Sequence, residues 1–295
     1  MMTAEALGTI LVSGLVLGSI YALMASGLSL VWSTLGIFNF AHGTLMTLGA
    51  YVAWSLTDNA AGLGLSPIAG LLLTIPIMVL VGAAMEWLVV RPFYGHRAMM
   101  LITVMTTLAA TVFIGKGIQL IWGARLKQLE PLVAGKITIL GTTISAQELL
   151  IILLAPVLLA ALWAFLRWSA TGRGIRAVGQ NPYAAKLIGI NVPRLFIITF
   201  ALSATLAGLT GVLISSVRLI TPMLGDEPLI KALIIVIFGG LGSLAGTIWA
   251  AYLIGIAEAF LIYTIGIYWA PSLIFILLIL VLLLRPQGLF GKVVR

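Results

Sequence analysis

Eight apolar runs decide the solvent of this chain. They fall at about 8–31, 36–57, 66–90, 98–122, 147–167, 193–216, 228–262 and 268–284. Most are near the ~20 residues that an α-helix needs to cross a bilayer core. Hydrophobic residues make up 62% of the 295 and charged residues 8%, with a mean hydropathy of +1.21. So little charge cannot coat a soluble domain of this size. The sequence therefore predicts an all-α polytopic membrane protein with about eight transmembrane helices, forming one membrane domain over 1–295.

The remaining charges supply the topology. A formal net charge of +8 and a pI near 10.1 would suit nucleic acid in a soluble protein. Here the cations instead cluster where apolar runs stop, the positive-inside pattern of cytoplasmic loops, and no nucleic-acid partner is expected. RPFYGHR (91–97), the stretch from Arg167 to Arg194, and the tail with Arg285, Lys292 and Arg295 contain no acid, so all three are predicted inside. Arg91 is the first basic residue of the chain, which favours an N-terminus outside. MMTAEA lacks a positive n-region and leads into a run too long for a cleavable signal. With zero cysteines, thiolate metal sites and cysteine nucleophiles are excluded, and no metal site is expected.

Parity makes one demand. If 168–192 is inside, then 217–227 and 263–267 lie outside, and the run 228–262 starts and ends on the same side. As one straight helix, 35 residues would reach about 52 Å, against a ~30 Å core. FGGLGSLAG (238–246) carries four glycines and supplies the break. Two shorter packed segments are predicted around an unwound turn. Irregular backbone at membrane depth survives only against protein or along a water-filled path, so Gly240, Gly242 and Ser243 become candidate pathway residues.

Two loops carry further structure. In the external loop 123–146, KITILGTTIS alternates weakly and predicts a β-hairpin turning at Gly141. GLVLGSIYALMASGL (14–28) offers small faces for close helix packing. The loop 168–192 contains a short helix: Asn181 suits the N-cap, Pro182 the first turn and Gly189 the stop, leaving Leu187 and Ile188 as an apolar knob. So short a helix is marginal in water. A docking partner or a surface of anionic membrane lipid would support it equally well.

GRGIRAVGQNPYAAKLIGINVPRL resembles the cytoplasmic coupling loop of ABC importer permeases. LVLGSIYALMASGLSLVW, GIFNFAHGTLMTLGAYVA, VIFGGLGSLAGTIWAAYLIGIAEAF and LILVLLLRPQGLFG each resemble the branched-chain amino acid permeases, of the LivH-type half. The resemblance implies a bacterial inner-membrane permease subunit for branched-chain or other hydrophobic amino acids. Its implied partners are a second, LivM-type permease, two cytoplasmic ATP-binding subunits and a periplasmic solute-binding protein. ATP and Mg would be bound by those partner subunits, so this chain is expected to hold no cofactor and to be no enzyme. Asn181, Pro182, Ala184, Ala185, Leu187 and Gly189 would then meet an ATPase. The chain departs from the family pattern where Gln180, Asn181 and Pro182 replace an acidic start of the loop. It departs again at Thr44, where relatives commonly read glutamate after NFAHG. Urea, short amides and aromatic carboxylates are substrate alternatives within the same superfamily.

Polar residues in apolar runs complete the candidates. Asn39 and His42 are three apart, on one helical face if that segment is helical, and either line a pathway or bond to neighbouring backbone. Glu258 is an intramembrane carboxylate with no cation within a turn. Glu86 and Lys116 sit near predicted span ends, where snorkelling accounts for them. An intramembrane hydrolase would need a dyad such as Ser243–His42, which no nucleophile motif supports. A secondary transporter or channel would accommodate the broken helix equally well, but has no need of residues 172–190.

Overall fold

In the computed structural model, which describes residues 4–139, 142–285 and 288–290, almost every apolar run is helical. The order is α1 (Ala4–Leu35), α2 (His42–Thr57), α3 (Pro67–Met85), α4 (Met99–Trp122), the strands β1 (Lys136–Ile139) and β2 (Thr142–Ser145), and α5 (Ala146–Trp168). Then follow α6 (Ala170–Gln180), α7 (Pro182–Leu187), α8 (Val192–Ser215), α9 (Asp226–Gly239), α10 (Leu244–Ile265) and α11 (Ala270–Leu284). A π-helical turn at Glu86–Val90 and a 3₁₀ turn at Arg91–Phe93 prolong α3.

Among the described residues, six helices are long and apolar enough to span a membrane: α1, α3 with its extension, α4, α5, α8 and α10. The chain is a multi-pass membrane protein. The other three expected spans are shorter, at 16 residues for α2, 14 for α9 and 15 for α11. The run expected at 36–57 loses its first turn for a local reason. Gly36 takes φ +71°, and the Asn39 side-chain oxygen accepts the Ala41 N–H at 3.1 Å, an alternative to the helical bond. The run 228–262 breaks between Gly239 and Leu244 as expected, but only α9 is short, while α10 keeps 22 residues.

Two helices form the centre. The apolar window of α8 is 78% buried and that of α1 is 67%, against 22% for α4. Helix α1 packs on α10, α8, α9 and α5, while α8 packs on α3 and α2. Lipid is as apolar as the bundle interior, so tight association needs backbones that approach closely. Gly18 and Gly255 provide this between α1 and α10: a Cβ on Gly18 would lie 3.0 Å from the Tyr252 Cα.

The starts of α2 and α9 also meet. A Cβ on Gly43 would stand 2.5 Å from the Gly225 carbonyl oxygen, and Thr47 Oγ1 accepts the Gly225 N–H at 2.9 Å. A Gly225→Val substitution is expected to destabilise the fold by about 1–3 kcal/mol, because the obstacle is backbone that cannot rotate away. A thermal melt in detergent checks this, and an unchanged melting temperature would contradict the close crossing.

The bundle ends differ. At one end β1 and β2 pair antiparallel, with Ile137 opposite Ile144. A Ser145–Glu148 capping box then starts α5. The expected turn residue, Gly141, lies outside the described residues, as do Lys292 and Arg295 of the tail. Lys127 and Ile220 bridge the loop before the hairpin to the segment before α9. At the far end of α5, about 34 Å away for 23 residues, lie α6 and α7. Glu86, expected to reach the headgroups, is instead buried and accepts a hydrogen bond from the Tyr94 hydroxyl.

Candidate functional site

The predicted helix in the basic loop forms at α7. Asn181 Oδ1 accepts the N–H groups of Tyr183 and Ala184, both at 3.0 Å, Pro182 occupies the first turn, and Gly189 adopts φ +84° beyond the end. Its side chains divide sharply. Ala185 is 3% exposed, packed within its own chain, whereas Leu187 is 89% and Tyr183 83% exposed. The outward surface is therefore Tyr183, Leu187 and Ile188, on a segment with no acid. Helix α6 ahead of it was not foreseen. Ser169 caps it through the Gly172 N–H at 2.8 Å, and Ile175 and Val178 bury one face against α1 and α5. The signal was present in the three-residue spacing of those two apolar positions.

The break between α9 and α10 is built by Gly240 at φ +96° and Gly242 at φ +85°. Ser243 Oγ accepts the Gly246 N–H at 3.1 Å, capping α10. Gly242 and Ser243 line a cleft of about 1030 Å³ with Arg167, Arg176 and Gln180. The unwound turn therefore faces the α6 end of the bundle.

His42 lies wholly inside the packing. Its Nε2 is 3.0 Å from the Met24 carbonyl oxygen, and its Nδ1 is 3.2 Å from Ser203 Oγ. Since a carbonyl only accepts, Nε2 carries the proton, and Nδ1 accepts from Ser203. The ring thus ties α2 to α1 and α8. Its serine partner is Ser203, and the sequence-level candidate Ser243 is occupied in capping. Asn39 is fully buried, with its Nδ2 unpartnered among the described residues. Thr44 is also buried, its methyl 4.0 Å from where a Cβ on Gly115 of α4 would stand.

Glu258 has a partner too distant along the chain to be seen within a helical turn. Lys231 Nζ lies 2.5 Å from Glu258 Oε1 and 2.6 Å from Glu227 Oε1. It also donates to the Tyr21 hydroxyl at 2.8 Å, which in turn donates to Glu258 Oε2 at 2.9 Å. Lys231 starts the run 228–262 and Glu258 is near its end, so their contact joins both arms of the hairpin. Buried charges require such pairing, since desolvation of either alone would cost several kcal/mol.

Among the described residues, nine mostly apolar helices, a broken pair closed by a buried ion network, and an exposed knob at one end define a polytopic membrane protein. The chain belongs to the family described as branched-chain amino acid transport system / permease component, whose pattern matches residues 10–283. It is 31% identical over 293 residues to the high-affinity branched-chain amino acid transport system permease protein BraD of Pseudomonas aeruginosa, covering 96% of this chain and 95% of that one. LivH of Escherichia coli, of the same description, is 30% identical, with coverage of 95% and 94%. The probable branched-chain amino acid transport permease protein LivH of Methanocaldococcus jannaschii is 27% identical, with coverage of 96% and 92%. In three dimensions the chain is similar to a chain of PsaBC from Streptococcus pneumoniae in complex with Fab. That match has a TM-score of 0.51 and 12% identity, covering 95% of this chain and 92% of the other, and bears on the fold alone.

Proposed function

We propose that this chain is a membrane subunit of an ATP-driven importer for branched-chain and related hydrophobic amino acids, resident in a bacterial inner membrane. A single observation carries the reading: α7 holds Tyr183, Leu187 and Ile188 in the open on a capped, basic, acid-free platform. A carrier that works alone has no use for such a knob, whereas an ATP-binding subunit supplies the groove it needs. The chain breaks no covalent bond in this scheme. ATP and Mg belong to two such cytoplasmic subunits, a second permease of LivM type completes the pathway, and a periplasmic protein delivers the substrate. The amino-acid substrate follows the relatives' names. Thr44 is neutral, so no carboxylate at that position attracts a substrate ammonium.

Proteoliposomes with the complete complex test the reading. Leucine uptake is expected to require the binding protein and ATP on the side of α7, and to stop when ATP is removed while a proton gradient is kept. Uptake that continues on the gradient alone would identify a secondary transporter instead.

A further inference from the structure

At the hairpin end of the bundle, α1, α5, α8, α9 and α10 border a cavity of about 280 Å³. Drug-sized ligands occupy pockets of roughly 300–1,000 Å³, so this one suits a single small molecule. Its walls divide by chemistry. Val16, Ile20, Ile214 and Ile262 are apolar, while Arg218, Lys231, Glu148 and Glu227 contribute two cations and two anions.

These charges are unequally committed. Lys231 and Glu258 are buried against each other, with side chains 8% and 4% exposed. Glu148 is tied to the start of α5, accepting the Ser145 N–H at 2.9 Å. Glu227 is the second carboxylate on Lys231, yet its side chain is 59% exposed, and Arg218, 50% exposed, approaches it only to 3.9 Å. An exposed pair at that separation contributes little in solvent, so a ligand parts it readily. If Glu227 turns away, Lys231 still keeps Glu258 and Tyr21. The cavity thus offers one loosely held cation, Arg218, beside a carboxylate whose Oε1 holds Lys231 at 2.6 Å and whose Oε2, among the described residues, meets only Arg218 at 3.9 Å, within a wall of balanced charge. A plain anion entering it would face Glu227 and Glu148, and a plain cation would face Arg218 and Lys231. Only a ligand that carries both charges is matched.

We propose that this cavity is a subsite for a zwitterionic aliphatic amino acid. The Arg218 guanidinium takes the α-carboxylate, to which its planar fork is suited. Glu227 takes the ammonium group, and the ligand side chain lies against Val16, Ile20, Ile214 and Ile262. The assignment rests on the amino-acid transport reading above and gives that reading specific contacts at the hairpin end.

The test uses the complex purified through this full-length chain, without its binding protein, and measures equilibrium binding of radiolabelled leucine. Unlabelled leucine, leucinamide (no carboxylate) and 4-methylpentanoate (no ammonium) compete. Leucine is expected to compete at least tenfold better than either analogue in the wild type. Arg218→Gln should erase the preference over leucinamide alone, and Glu227→Gln the preference over 4-methylpentanoate alone. Both side chains are half exposed or more, so neither change empties a packed core. Unchanged preferences, equal loss of all three competitors, or no leucine binding by the wild type would each overturn the subsite. Wild-type uptake in proteoliposomes is the separate arm. Import of leucine with unaltered variant preferences removes the subsite only, whereas no import of any aliphatic amino acid removes the transport reading itself.

Discussion

Leu187→Asp is expected to abolish ATP-driven uptake while leaving the chain folded and inserted. Leu187 is 89% exposed, so in the isolated subunit the new carboxylate stays in water and costs almost nothing. In a complex it would be buried in an apolar groove without a cation, since this knob supplies the hydrophobic half of the contact. Loss of one central anchor costs about 2 kcal/mol or more, roughly 30-fold in docking affinity, before the penalty of an unpaired charge is added. Co-purification of the ATP-binding subunits should fall with uptake. Ala185→Asp would look similar in an uptake assay for a different reason. Ala185 is 3% exposed, so that change would disturb the seat of α7 on its own chain and lower thermal stability, which Leu187→Asp should not. Full uptake with intact coupling in Leu187→Asp would remove α7 from the interface.

The parts of this fold that were legible in the sequence are those where physics leaves a local trace. Apolar length predicts a span, glycine clusters predict a break, and Asn181-Pro182 with Gly189 predict the limits of α7 closely. Burial within the bundle leaves no such trace. Helices α8 and α5 are both strongly apolar, yet α8 lies at the centre and α5 at the edge, because lipid and protein interior impose the same hydropathy. The shortness of α2 was hidden for a related reason: Gly36 to Ala41 are apolar enough to read as membrane, and the Asn39 turn that ends helicity is a matter of hydrogen bonding. Helix α6 was obscured by its glycines, which lower intrinsic helix propensity but here permit close seating. The ion network was readable in principle. Lys231 and Glu258 are the only charged residues of 228–262, of opposite sign and on opposite sides of the glycine break. Folding the run back on itself, which parity already required, brings two such charges together. Tyr21, some 200 positions earlier, could not have been found that way.

That network supports an ordered set of stabilities. Lys231→Met should be the most damaging single change, at about 3–5 kcal/mol, because it strands a buried carboxylate. Glu227, 59% exposed, can turn to water, but Glu258, at 4%, cannot, and among the described residues retains only the Tyr21 hydroxyl at 2.9 Å. Glu258→Gln should cost less, about 1–3 kcal/mol, the range for leaving a buried polar group poorly satisfied. In that variant Lys231 keeps Glu227 at 2.6 Å and Tyr21 at 2.8 Å, so the charge remains paired. Combining Lys231→Met with Glu258→Gln should be milder than Lys231→Met alone, since no buried charge then lacks a partner. Melting temperatures of the four proteins in one detergent give the order directly. Equal losses in both single variants, or a double variant worse than Lys231→Met, would mean that Glu258 finds its compensation outside this chain. The arms of the hairpin would then be held by packing instead of by charge. A cation serving two carboxylates and one hydroxyl is the hub of such a network, and Glu258, buried with Lys231 as its one cation among the described residues, is the dependent partner.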